Sequence, residues 1–180
     1  MLPYITIFVI IILAWWASRV VAQDYRTSLK LTPRSSFIEI SIFFIHGCSS
    51  YIFLDSRLGT IETSSPLFVL AVILIVVGLV GVFIPMSRLG MSVSIGQKTE
   101  GLRTTGLYRF SRNPQIVAYF LVVAGYALLW PSSFGLIWVS LYMVIAHFMI
   151  QTEEEHLLRL YGDEYSKYCS ETPRYVAFIG

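Results

Sequence analysis

The chain has 180 residues, 56% of them hydrophobic and only 13% charged, about half the charged fraction of an ordinary soluble domain. So short and apolar a chain leaves no room for a separate soluble domain, and its net charge of +2 lacks the strong basic excess of a nucleic-acid binder, so no nucleic-acid partner is expected. The composition predicts one all-α integral membrane domain.

Five apolar segments follow in order: Pro3 to Ala22, Phe37 to Leu54, Pro66 to Ile84, Gln115 to Trp130 and Phe134 to Ile150. Four reach or approach the roughly 20 residues of a spanning helix, and one is slightly short. The first ends in "VVA" before Gln23, which resembles a cleavage site, but it lacks a basic leader and its apolar run is too long for a signal peptide. It is read as a helix. The third carries Gly78 and Gly81, which permit close helix contact without matching GxxxG spacing. Segments four and five are joined only by "PSS", short enough to force a tight antiparallel hairpin. Beyond segment five the helical pattern continues to Gly162, an expected helix stop, and Asp163 is the expected N-cap of one short further helix. Leu157, Leu158, Tyr161, Tyr165 and Tyr168 then form a stripe suited to headgroup depth. The chain divides into a three-helix part, 1–87, and a loop, hairpin and tail, 88–180.

Twelve of the thirteen basic residues lie on one side of a five-helix arrangement, and only Arg57 lies on the other. The positive-inside rule then puts the N-terminus outside and the C-terminus in the cytoplasm. The loop between segments three and four shares that basic face, where it also attracts anionic lipid. Cys48 and Cys169 form neither a disulfide framework nor a metal-ligand spacing.

Chemistry concentrates in "EGLRTTGLYRFSRNPQIVAYF", residues 100–120. Asn113-Pro114 is an efficient helix start, and a helix N-terminus beside Arg112 is also suited to an anionic group. At the end of segment five stand Glu153, Glu154 and Glu155. They fan around the helix at about 100° per residue, so at most two point inward. The hairpin brings Arg112 and Asn113 beside Glu153 and Glu154, so anion-binding and cation-binding groups converge. Such a site suits a zwitterionic, partly cationic ligand. Glu153 and Arg112 are expected to belong to one site. His147, four residues before Gln151, is a candidate base or a helix–helix hydrogen-bonding residue.

"GLRTTGLYRFSRNP", a hairpin, and "EEEHLLRLYGDEYSKYCSETPRY" together resemble the signature of the isoprenylcysteine carboxyl methyltransferase and phospholipid methyltransferase superfamily of integral membrane enzymes. The resemblance covers roughly residues 100–175. It implies S-adenosyl-L-methionine as methyl donor and a lipid-like or small hydrophobic acceptor at the cytoplasmic membrane face. Carried over by position, it implies cofactor contacts from Glu100, Gly101, Leu102, Arg103, Tyr108, Arg112, Asn113, Pro114, Gln115, Ile116, Glu153 and Glu154. Three positions depart from the pattern. Asn113 replaces the commoner histidine, and Ile116 stands where many members have tyrosine, a contact that Tyr119 one turn later is placed to supply. Met149 occupies the slot of the arginine that holds the substrate carboxylate in the isoprenylcysteine enzymes, which argues against that substrate. Membrane sterol reductases, which use NADPH, share a related C-terminal pattern but are usually much longer. A non-enzymatic membrane scaffold is the remaining alternative.

Overall fold

A computed structural model describes residues 1–54, 61–89 and 101–176. Among the described residues there are six α-helices and one 3-10 turn. They are α1 (Leu2–Ser28), α2 (Pro33–Leu54), α3 (Pro66–Leu89), the turn Gly106–Arg109, α4 (Pro114–Leu128), α5 (Ser133–Tyr161) and α6 (Asp163–Glu171). The described residues contain no strand, as expected of an all-α integral membrane protein. α1, α2, α5 and the Pro66–Ile84 part of α3 are long and apolar enough to cross a bilayer. α4 has 15 residues, which at 1.5 Å per residue is roughly 22 Å against a hydrocarbon core of about 30 Å.

The helix ends follow from local chemistry, with two departures from expectation. The hairpin turns at Pro131, and Ser132 caps α5 by accepting from the Gly135 N–H at 3.0 Å. Gly162 stops α5 in a positive-φ conformation, φ 50°, which a residue without Cβ adopts freely. α6 resumes at the next residue, so Gly162 is also its N-cap and Asp163, expected in that role, is the first helical residue. Asn113 does hold the N-cap position of α4 but makes no capping bond, because its side chain is engaged elsewhere. Between α1 and α2 the Asp24 carboxylate accepts from the Thr32 N–H and hydroxyl at 3.1 and 2.6 Å, which folds the start of α2 back beside the end of α1.

α5 is the central helix. On one side Leu141, Ile145 and Met149 pack with Ile10, Ala14 and Ala17 of α1 and Ile42 of α2. On the other, Trp138, Tyr142 and Ala146 pack with Val123 and Ala127 of α4 and Phe53 and Leu54 of α2. The buried indole of Trp138 stacks on His46 at 4.7 Å and donates to the His46 carbonyl at 3.0 Å. Tyr142 donates to the Ile116 carbonyl at 2.7 Å. These bonds satisfy polar groups that hydrocarbon cannot.

α3 and α4 meet through small residues. A Cβ on Gly78 would stand 2.6 Å from the Ala118 carbonyl, one on Gly81 would stand 2.8 Å from the Ala118 Cβ, and one on Gly125 would stand 2.7 Å from the Ala71 carbonyl. The close contact expected of Gly78 and Gly81 is therefore present, and the backbones touch without large side chains between them.

Candidate functional site

The end of α1, the starts of α2 and α4 and the end of α5 gather most of the charged residues of the described chain at one end of the bundle. There the loop Gly101–Arg112, the hairpin and the C-terminal tail meet. Tyr168 donates to the Tyr108 carbonyl at 2.7 Å, fastening α6 to the 3-10 turn. The tail crosses the start of α4. Its Pro173 carbonyl accepts from the Arg112 N–H at 2.9 Å, and its Arg174 carbonyl accepts from Asn113 Nδ2 at 3.0 Å.

Arg112 and Glu154 form the buried centre of this knot. Arg112 Nη1 lies 3.1 Å from Glu154 Oε1, with both side chains about one-eighth exposed. The contact is an ion pair without hydrogen-bond geometry, since that oxygen and Arg112 Nε have no hydrogen-bond partner. Arg112 Nη1 also lies 2.6 Å from Cys169 Sγ. Arg174 closes the other side, its Nε and Nη2 donating to Glu154 Oε2 at 3.0 and 2.6 Å. The bonded Glu154 carboxylate holds the Arg174 guanidinium even further above its ordinary range. Burial pushes the Tyr108 and Tyr168 phenols up to about 12 each, with the charge of Glu153 adding to the effect at Tyr108. Burial likewise raises Tyr165, whose hydroxyl is buried without a partner. These phenols are neutral throughout the physiological range.

Glu153, one residue from Glu154, has a different environment. Met149, Thr152 and His156 around it are buried, while Glu153 itself is exposed. Met149 and His156 lie one turn to either side on its own face, so Glu153 is an exposed carboxylate on an otherwise buried stripe. The charge of Glu153 is felt by Tyr25 of α1, Glu39 of α2 and Tyr108. These groups come from three separate elements. Glu155 faces outward and pairs with Arg26 at 3.1 Å and with Arg159.

Of the residues singled out in the sequence, Arg112, Asn113 and Glu154 are joined through the tail, and Tyr108 and Glu153 are electrostatic neighbours. Of the two inward-facing glutamates it is Glu154 that pairs with Arg112, because the 100° step between adjacent residues lets only one face α4. Gly101 and Gly106 adopt positive φ, 85° and 66°, with nothing within 4 Å of where a Cβ would stand. Leu102, Arg103, Gln115 and Ile116 are half-buried and Pro114 is buried. Glu100 lies outside the described residues. Tyr119, the expected substitute for the missing tyrosine, packs in the bundle against Phe43 and Tyr142 at 6.2 and 5.4 Å. His147 is exposed beside Phe148, off the inward stripe of α5. Met149 is in the apolar core.

Sequence reasoning passed over Tyr25, Glu39 and Arg174. The signal for Glu39 was available, a carboxylate inside the apolar run "FIEISIFF". The partnership of Arg174 with Glu154 was not, since nothing local points the tail to the hairpin.

Residues 66–164 match the family described as phospholipid methyltransferase. No curated protein and no solved structure matches the chain.

Proposed function

The chain belongs to the phospholipid methyltransferase family, a family of membrane methyltransferases, and on that premise we propose that it uses S-adenosyl-L-methionine to methylate a lipid-like acceptor at the cytoplasmic membrane face. The observation that carries the reading is Glu153, an exposed carboxylate on an otherwise buried helix stripe, next to the buried Arg112–Glu154 pair. The donor carries sulfonium and ammonium charges and one carboxylate, and this end of the bundle offers an unpartnered carboxylate beside guanidinium groups. The residues fit the group. When bound, it supplies an activated methyl group for in-line displacement. Glu153 would meet its positive charge, and Gly101, Leu102, Arg103, Tyr108, Asn113, Pro114, Gln115 and Ile116 would surround it, with Glu100 completing the loop. Arg112 and Glu154 act here as positioning residues: they fasten the tail across the start of α4 and hold the angle at which Glu153 leaves the helix. The surrounding apolar bundle excludes water, and methyl transfer asks mainly for that exclusion and for alignment.

Met149 lies in the apolar core, so no carboxylate anchor stands at that position, and the acceptor we propose is not a prenylated cysteine carboxylate. Robust methylation of a farnesylcysteine analogue by the purified protein would overturn this. From the distribution of basic residues we propose that the N-terminus is outside and the charged end cytoplasmic. Accessibility labelling that put a cysteine introduced at Gln97 outside would refute that orientation.

Titration of the detergent-purified protein with S-adenosylhomocysteine and with NADPH tests the reaction class. Binding of the first and not the second is expected. The reverse result would favour a reductase of the sterol reductase type, and binding of neither would favour a scaffold.

A further inference from the structure

The two faces of α1 differ in kind over its second half. Ala14, Ala17, Ser18, Val21 and Tyr25 are buried, and Tyr25 stacks on His156 of α5 at 4.1 Å. The opposite face carries Trp15, Trp16, Arg19, Gln23 and Arg26, all exposed. At about 100° per residue these five fall within roughly one third of the helix circumference, so they form one continuous outer strip. Arg26 reaches Glu155 of α5 at 3.1 Å, and both helices run toward the charged end, so positions equally far before this pair share a level. Five residues before it stand Val21 on α1 and Ile150 on α5, and Ile150 is the end of the fifth apolar segment. The hydrocarbon boundary therefore crosses α1 near Val21, one residue from Ala22, where its own apolar segment ends. Arg19 stands about 3 Å to the hydrocarbon side of that boundary at 1.5 Å per residue.

Positive charge on this strip exceeds what the chain neutralises. Among the described residues Arg19 has one partner, the Trp15 ring, with its guanidinium carbon 5.4 Å from the ring centroid, and no carboxylate reaches it. Two turns on, Arg26 shares the single Glu155 carboxylate with Arg159. The edge where α1 meets α5 thus holds three guanidinium groups against one carboxylate. A guanidinium at the rim of the hydrocarbon is costly unless it meets an anion. The anion that a bilayer supplies at that depth is a phosphodiester, which a guanidinium binds through two parallel N–H donors while its own face rests on an aromatic ring. Below Arg19, Trp15 and Trp16 are about half exposed and present flat apolar surface to acyl chains.

We propose that the outer face of α1 is a binding site for an anionic phospholipid of the surrounding bilayer. Arg19 holds the phosphate, Trp15 and Trp16 lie along the chains, and the surplus charge at Arg26 and Arg159 selects lipids of net negative charge over zwitterionic ones. Trp15, Trp16, Arg19 and Arg26 lie outside the residues 66–164 that match the family. The strip faces away from the inner face of α1 that carries Tyr25, and the proposal does not depend on the proposed methyl transfer.

Tryptophan emission of the full chain in phosphatidylcholine bilayers reads the lipid at this face. Phosphatidylglycerol or phosphatidylcholine with dibrominated chains, which quench an indole that they touch, is added at equal mole fraction. Trp130 and Trp138 stand at the opposite end of the bundle and give a background common to both lipids. Wild type is expected to prefer the brominated phosphatidylglycerol about fivefold, the effect of roughly one cation at an anionic surface. Arg19→Gln should abolish the preference, and Lys30→Gln, which removes an exposed cation of the turn after α1, should leave it. Folding of each variant is checked by gel filtration and thermal unfolding. Arg19→Lys puts a point charge in place of the planar group over Trp15 and should reduce the preference, and it carries the test if Arg19→Gln does not fold. No preference in wild type, or a preference that survives the substitution of Arg19, overturns the proposal. Equal loss in Lys30→Gln overturns it too, because diffuse attraction to the basic end would then be the whole effect. Displacement of the brominated phosphatidylglycerol by millimolar inorganic phosphate would show an ion site in place of a lipid site and would likewise overturn it.

Discussion

Glu153 and Glu154 are consecutive on α5, yet the regions they enter differ in every respect that controls a carboxylate. Glu154 is buried and held by two guanidinium groups, Arg112 from the start of α4 and Arg174 from the tail. Glu153 is exposed, and its charge acts on a phenol of α1 and a carboxylate of α2. The first arrangement is complete within the chain, and it ties loop, hairpin and tail together. The second has no such partners among the described residues. One step of helix rotation thus separates a group committed to structure from a group free for binding, and the commitment of the first holds the second in place.

The comparison breaks most visibly at the structural member. Arg112→Met leaves Glu154 buried with only the more exposed Arg174, and removing one partner of a buried pair costs about 3 kcal/mol. A large drop in thermal unfolding temperature in detergent is expected, and an unchanged temperature would show that the knot contributes nothing. At the functional member the expectation is inverted. Glu153→Gln keeps the shape and the melting temperature but weakens S-adenosylmethionine binding by about 1.5 to 3 kcal/mol, the range of a charge-assisted hydrogen bond. Calorimetric titration reads this directly, and wild-type affinity would remove the distinction between the two residues.

Tyr168→Phe, which removes the bond to the Tyr108 carbonyl, should cost about 1 kcal/mol and loosen the 3-10 turn, seen as faster amide exchange there. The same phenols predict an alkaline limit. Their pKa values rise from 10.0 to about 12 on folding, so their contribution is whole below pH 10 and is lost as pH rises toward 12. Stability that fell with the same profile in Tyr168→Phe would show that Tyr168 takes no part. The smallest effect belongs to Glu155, whose partners Arg26 and Arg159 are about half exposed. Glu155→Gln should change stability by less than about 1 kcal/mol, with the difference vanishing in high salt. A larger, salt-independent loss would make the third glutamate structural as well.

Much of the fold was legible in the residues themselves. Apolar length and the scarcity of charge determined an all-helical membrane domain, because hydrocarbon tolerates no unpaired backbone. "PSS" determined the antiparallel hairpin, Gly162 the stop of α5, and Gly78 and Gly81 the close approach of α3, each through a conformational or steric property of the residue. The motif stretches also pointed to the end of the bundle where Arg112, Arg174 and Glu154 come together. Which glutamate pairs with Arg112 depends instead on the rotation of α5 against α4, and periodicity leaves adjacent positions within one helical step of each other. The engagement of Asn113 by the Arg174 carbonyl in place of a helix cap required the tail to return across 61 positions of chain. The stacking of Tyr25 on His156 arose only when α1 and α5 came together. Contacts of that kind are set by side-chain packing between segments remote in sequence, for which no local pattern of residues carries a signal.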